Sequence, residues 1–94
     1  MFKLKDDAPA EAVAAIEEGF QGLQDKIPSI IDFEWGTPIG DRGLNKGLTY
    51  CLVLTFEDEA ELEAYLPHPD HQAFVEIFKP YADDLLVFDY FAKR

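Results

Sequence analysis

The 94-residue chain carries 8 Lys and Arg against 19 Asp and Glu, for a formal charge of −11, together with a single cysteine. That length excludes two domains, the charge repels phosphate backbones and anionic lipid so that neither nucleic acid nor membrane is an expected partner, and Cys51 alone builds no disulfide or Cys-based zinc site. Yet 48% of the residues are hydrophobic, one Trp, four Tyr and eight Phe among them, which is too apolar for a disordered acidic tail.

Met1 to Lys5 alternates apolar and cationic residues and reads as a short strand, clipped at its start as though part of it lay upstream. Asp7 is placed to cap the following helix, with Pro9 in the first turn. Val13, Ile16, Phe20, Leu23 and Ile27 recur at spacings of 3, 4, 3 and 4, one apolar stripe that predicts a helix over 9–26, closed by Pro28. Ile30 to Gly36 predicts a strand with Ile31, Phe33 and Trp35 on one side and Asp32 and Glu34 on the other. Trp35 then belongs to the core or to a subunit contact, the contact being favoured.

A loop from Gly36 to Lys46 follows, in which Gly40 and Gly43, with Gly47 just beyond, suit left-handed turns. It lacks the Gly-Lys-Ser/Thr ending of a phosphate-binding loop. Leu48 to Phe56 predicts a strand with Leu48, Tyr50, Leu52, Leu54 and Phe56 on one face and Thr49, Cys51, Val53 and Thr55 on the other. Neither face is charged, so the strand is expected to be covered on both sides and Cys51 to be a buried structural thiol.

Asp58 followed by Glu61 is a capping signature for a helix over 59–65, ended by Pro67. A second helix begins at Pro69, with His68 near its N-cap and Phe74, Ile77, Phe78 and Tyr81 presented inward. Leu85 to Phe91 predicts the last strand, with Leu86, Phe88 and Tyr90 facing one way. The order β-α-β-β-α-β is the ferredoxin-like α+β arrangement, a four-stranded antiparallel sheet with helices on one face. The uncharged second face calls for cover, and the economical cover is the sheet of an identical subunit in a two-fold homodimer.

Several segments carry a resemblance: Phe33-Glu34-Trp35-Gly36, Gly43-Leu44-Asn45-Lys46-Gly47, Leu54-Thr55-Phe56-Glu57, Tyr65-Leu66-Pro67-His68-Pro69-Asp70-His71-Gln72-Ala73-Phe74 and Val87-Phe88-Asp89-Tyr90. In that order they resemble the stress-responsive dimeric A/B barrel family, over nearly the whole chain. The resemblance implies one domain over 1–94 and a dimeric α/β barrel. One plant member of that family is a polyketide cyclase that uses a Tyr and a His of the helix-to-helix segment, which by position in the motif are Tyr65 and His71.

A His near neutral pH takes a proton from a carbon beside a carbonyl, and a Tyr hydroxyl donates to the oxygen on which charge then develops. Tyr65 and His71 are six residues apart across two prolines, so periodicity alone does not place them on one helix face. A pocket between sheet and helices is expected to be lined by Tyr50, Leu52, Tyr65, Phe74, Phe78 and Phe88 and to hold a small apolar or aromatic molecule. His68, Asp70 and His71 have metal-like spacing, but read first as helix-opening residues, and no metal or cofactor is expected. The first expectation for function is therefore a dimeric, stress-associated binding protein. The alternatives are a cyclase, isomerase or lyase using Tyr65 and His71, and a structural oligomer. With no leader or apolar span in view, the expected location is the cytoplasm.

Overall fold

Pro9 sets the start of the first helix. The computed structural model describes residues 1–40 and 42–93, and in it Pro9 occupies the N-cap, at φ −68° and ψ 155°, with no side-chain cap. Asp7 therefore does not cap, since the turn after β1 (Phe2–Leu4) leaves it outside the helix. The expected single helix is two: α1 (Ala10–Gln21) ends at Gly22, and α2 (Leu23–Lys26) continues after it. Glycine is the residue in this stretch least able to hold a helical interior. The stripe survives the break, because Ile16, Phe20, Leu23 and Ile27 are all buried.

In α3 (Glu59–Tyr65), Asp58 caps by accepting from the Glu61 N–H at 3.0 Å. In α4 (Pro69–Phe78), the ring of His68 caps by accepting from the Asp70 N–H at 3.1 Å. Lys79–Tyr81 then forms one 3-10 turn around Pro80. Ile77, expected to face inward, is exposed instead, whereas Phe78 is buried.

The strands form two antiparallel ladders, β1 with β4 (Ala82–Leu85) and β2 (Ile30–Gly36) with β3 (Cys51–Phe56). One bridge joins them: the Phe2 N–H donates to the Tyr50 carbonyl at 2.9 Å and the Tyr50 N–H to the Phe2 carbonyl at 3.0 Å. Across that bridge the order is β4-β1-β3-β2, the ferredoxin-like order. The continuous four-stranded sheet expected from the sequence is not formed. β1 meets β3 only at this bridge, and its pairing with the last strand ends where Leu86 meets Met1, with a 2.8 Å bond to the Met1 carbonyl. The described residues beyond Leu86 have no ladder, and the last strand is Ala82–Leu85 rather than Leu85–Phe91. Val87, Phe88, Tyr90 and Phe91 are exposed.

The core lies between the helices and one face of these ladders. Phe20 is its hub, with ring centroids 4.9 Å from Trp35 and 6.2 Å from both Phe33 and Tyr50. Trp35 packs one side on Phe20 yet stays 37% exposed in the single chain, so core and subunit contact both remain open to it. A bulge between Ile30 and Asp32 resets the phase of β2, so Ile30 is buried and Ile31, expected on the Phe33 side, is exposed. α1 and α4 approach closely at Gly19, where an added Cβ would stand 3.0 Å from the Phe74 ring. Gly40, Gly43 and Gly47 all adopt positive φ, as the loop required.

On β3 the alternation is as read: Tyr50, Leu52, Leu54 and Phe56 pack toward the core. Cys51 lies on the opposite face and is exposed, not buried, because nothing within one chain covers that side. Val53 on the same face is exposed as well.

Candidate functional site

Two prolines shape the junction between α3 and α4. The last carbonyls of a helix lack intrahelical donors, and Pro67 and Pro69 have no N–H to offer them. The His68 N–H reaches the Tyr65 carbonyl at 3.1 Å. The Leu66 carbonyl is met by side chains from the first turn of α4, the His71 ring through Nδ1 at 2.9 Å and Gln72 through Nε2 at 2.8 Å. A carbonyl only accepts, so His71 Nδ1 carries the proton and Nε2 keeps its lone pair free.

This arrangement brings together the two residues that periodicity kept apart. The rings of Tyr65 and His71 lie with centroids 4.2 Å apart at 33°, and Phe56 backs Tyr65 at 5.1 Å. Burial pushes the Tyr65 hydroxyl up to about 12, and the Asp89 carboxylate adds to the same effect. The phenol is therefore a proton carrier and hydrogen-bond donor through the neutral range. A free imidazole nitrogen beside a protonated phenol is the equipment for moving a proton next to a developing oxyanion. Gln72 and Asp89 were not singled out in the sequence as site residues. The signal for Gln72 was present, since two prolines remove backbone donors and a donor side chain in the next turn answers that loss.

Of the other residues expected in the pocket, Tyr50 stands apart from this pair. Tyr50, just ahead of β3, and Phe56, at its far end, are about 20 Å apart at the rise of a strand. At its own end Tyr50 donates its hydroxyl to Glu17 Oε2 of α1 at 2.7 Å and stacks on Phe2 at 4.8 Å. Burial pushes that phenol up to about 12, with the hydrogen bond to Glu17 and its charge acting in the same direction. Tyr50 also borders a groove of about 410 Å³ lined by Met1, Pro38, Leu44, Leu48 and Leu86. Leu52, Phe74 and Phe78 pack in or against the core, the two Phe rings stacked at 5.9 Å.

Phe88 lies on the unpaired C-terminal segment, 75% exposed, with Tyr90 at 5.9 Å. Because His68 and His71 direct Nδ1 to Asp70 and Leu66, the metal-like spacing serves helix opening. Among the described residues no group of three His, Cys, Asp or Glu is placed to hold a metal. None of the described helices is long and apolar enough to cross a membrane.

The chain is 26% identical over 94 residues to olivetolic acid cyclase of Cannabis sativa, covering all of this chain and 93% of that protein. Among solved structures it superposes on the Arabidopsis thaliana protein At3g17210 with a TM-score of 0.88 and 29% identity, over 99% of this chain and 90% of the other. It also superposes on a dimeric ferredoxin-like protein of unknown function from Thermobifida fusca, with a TM-score of 0.73 and 25% identity, over 89% and 77% of the two chains. The model of the stress responsive A/B barrel domain matches residues 1–92. The fold and strand order agree with that match, and the chain belongs to the stress responsive A/B barrel domain family.

Proposed function

We propose that this chain is an acid–base enzyme acting on a carbonyl compound, of the polyketide-cyclase kind, with His71 as base and Tyr65 as the oxyanion donor. His71 Nε2 removes a proton from a carbon between two carbonyl groups, and the Tyr65 hydroxyl donates to the enolate oxygen. The carbanion attacks a second carbonyl of the same molecule, and the alkoxide formed takes the proton back from the His71 imidazolium. The observation that carries the reading is the 4.2 Å approach of the two rings with Nδ1 held by the Leu66 carbonyl. The similarity to a cyclase supports it, whereas fold alone does not choose a reaction. A linear β-polyketone thioester incubated with the protein is expected to cyclise faster than in buffer. Binding of the probe with no acceleration would return the chain to the binding reading.

The working unit we propose is a homodimer of the whole chain, residues 1–94, joined through the helix-free face. Cys51 and Val53 stand exposed on that face without charge of their own, and the Thermobifida fusca neighbour is dimeric. Light scattering at micromolar concentration should give about twice the chain mass of 10.7 kDa. A monomer at that concentration contradicts the dimer.

A further inference from the structure

The Leu66 carbonyl carries two donors where one would suffice to orient His71. We propose that Gln72 is a positioning residue for His71: its amide holds the Leu66 carbonyl in the orientation that keeps the imidazole proton on Nδ1 and the Nε2 lone pair free. The proposal rests on the reading of His71 as base, and adds to it the group that keeps the base in its working tautomer.

The physical case begins with the acceptor. A carbonyl oxygen has two lone pairs, and at Leu66 the His71 ring takes one at 2.9 Å and the Gln72 amide the other at 2.8 Å. The carbonyl stands at the exposed end of a seven-residue helix, where the donor three residues on would be Pro69, which has no N–H, and the Asp70 N–H four residues on is taken by His68 Nδ1. With only His71 as donor, water competes for the second lone pair and the peptide group is free to tilt, and each tilt weakens the bond that decides the tautomer. Gln72 also has the means to act at a fixed distance. Its own backbone N–H is bound to the His68 carbonyl at 3.0 Å, so the side chain springs from the anchored first turn of α4, the same turn that presents His71.

The chain contains its own reference. It has only two histidines, and they are held oppositely. His68 Nδ1 accepts from the Asp70 N–H, which puts the His68 proton on Nε2, whereas His71 carries its proton on Nδ1. Both rings are visible in a long-range proton–nitrogen NMR correlation of the labelled protein, recorded where both imidazoles are neutral.

In the wild type, His71 should show a protonated Nδ1 and a bare Nε2, and His68 the reverse. Gln72→Met keeps the length of the side chain and removes the donor; the Nδ1–H to Nε2–H ratio of His71 is expected to fall at least about threefold, the scale of one exposed hydrogen bond. His68 should not move, and Gln72→Lys, which returns a donor, should restore the ratio. Gln72 is exposed, so none of these variants burdens the core. With the polyketone thioester as probe, kcat should fall in step with the Nδ1–H fraction while KM stays constant.

An unchanged His71 tautomer in Gln72→Met overturns the proposal, and so does a wild type already protonated on Nε2. The two readings fail separately. A tautomer that shifts in a protein without turnover upholds Gln72 and removes the base role, whereas turnover with an immobile tautomer removes Gln72 alone.

Discussion

His71→Ala is expected to lower kcat for cyclisation of a β-polyketone thioester by about 10²–10⁴-fold, the usual contribution of a positioned general base. The loss should fall on kcat more than on KM, because the imidazole acts on a proton that moves only in the transition state. Tyr65→Phe should cost about 10²–10³-fold, as for removal of one donor to a developing oxyanion. That variant is the cleaner of the two, since Phe keeps the ring that packs at 5.1 Å on Phe56 and 4.2 Å from His71. Steady-state kinetics on both variants checks this, with circular dichroism to verify that α3 and α4 persist.

Phe20→Ala is expected to be the most damaging single change to stability, at about 3–5 kcal/mol. Phe20 has no exposed surface and meets five other aromatic rings, from Trp35 at 4.9 Å to Phe2 and Phe74 at 6.4 Å. Truncation removes the ring on which α1, the strands and α4 all rest, and five rigid neighbours collapse poorly into the space. A domain of this length has about 5–14 kcal/mol in total, so the variant loses about a fifth of its stability or more. Urea denaturation should show the shift in midpoint. Ile39→Ala, at a fully exposed loop position, should stay within about 0.5 kcal/mol of wild type and serve as the control.

What was legible in the sequence follows from how local each cause is. The α1 stripe, the Asp58 cap and the His68 cap depend on neighbours within four residues, and the chain shows all of them. The phase of Ile31 was not legible, because a one-residue bulge sends the next side chain to the other face without leaving a mark in composition. The last strand was misread for a different reason. Leu85 to Phe91 has strand character, yet pairing needs a partner, and the ladder of β4 with β1 covers only Ala82 to Leu85, with one further bond from Leu86. Cys51 and Phe88 are exposed for the same kind of reason: none of the described elements of the single chain packs over them.

The candidate site was half legible. The family resemblance pointed to Tyr65 and His71 by position in the motif, whereas periodicity alone did not place them on one helix face. The meeting goes with the missing N–H of Pro69 and the Asp70 N–H held by His68, which leave the Leu66 carbonyl to side chains and hold His71 beside Tyr65. The pairing of Glu17 with Tyr50 had no such signal, since the two lie 33 residues apart and neither sits in a motif.

The central claim is that Tyr65 and His71 act as one unit. Tyr65→Phe, His71→Ala and the double variant, assayed for cyclisation under identical conditions, test it most directly. Residues that work together lose their effect together, so the double variant is expected to be no slower than His71→Ala alone. Losses that multiply across the two sites, or single variants as fast as the wild type, would contradict the claim.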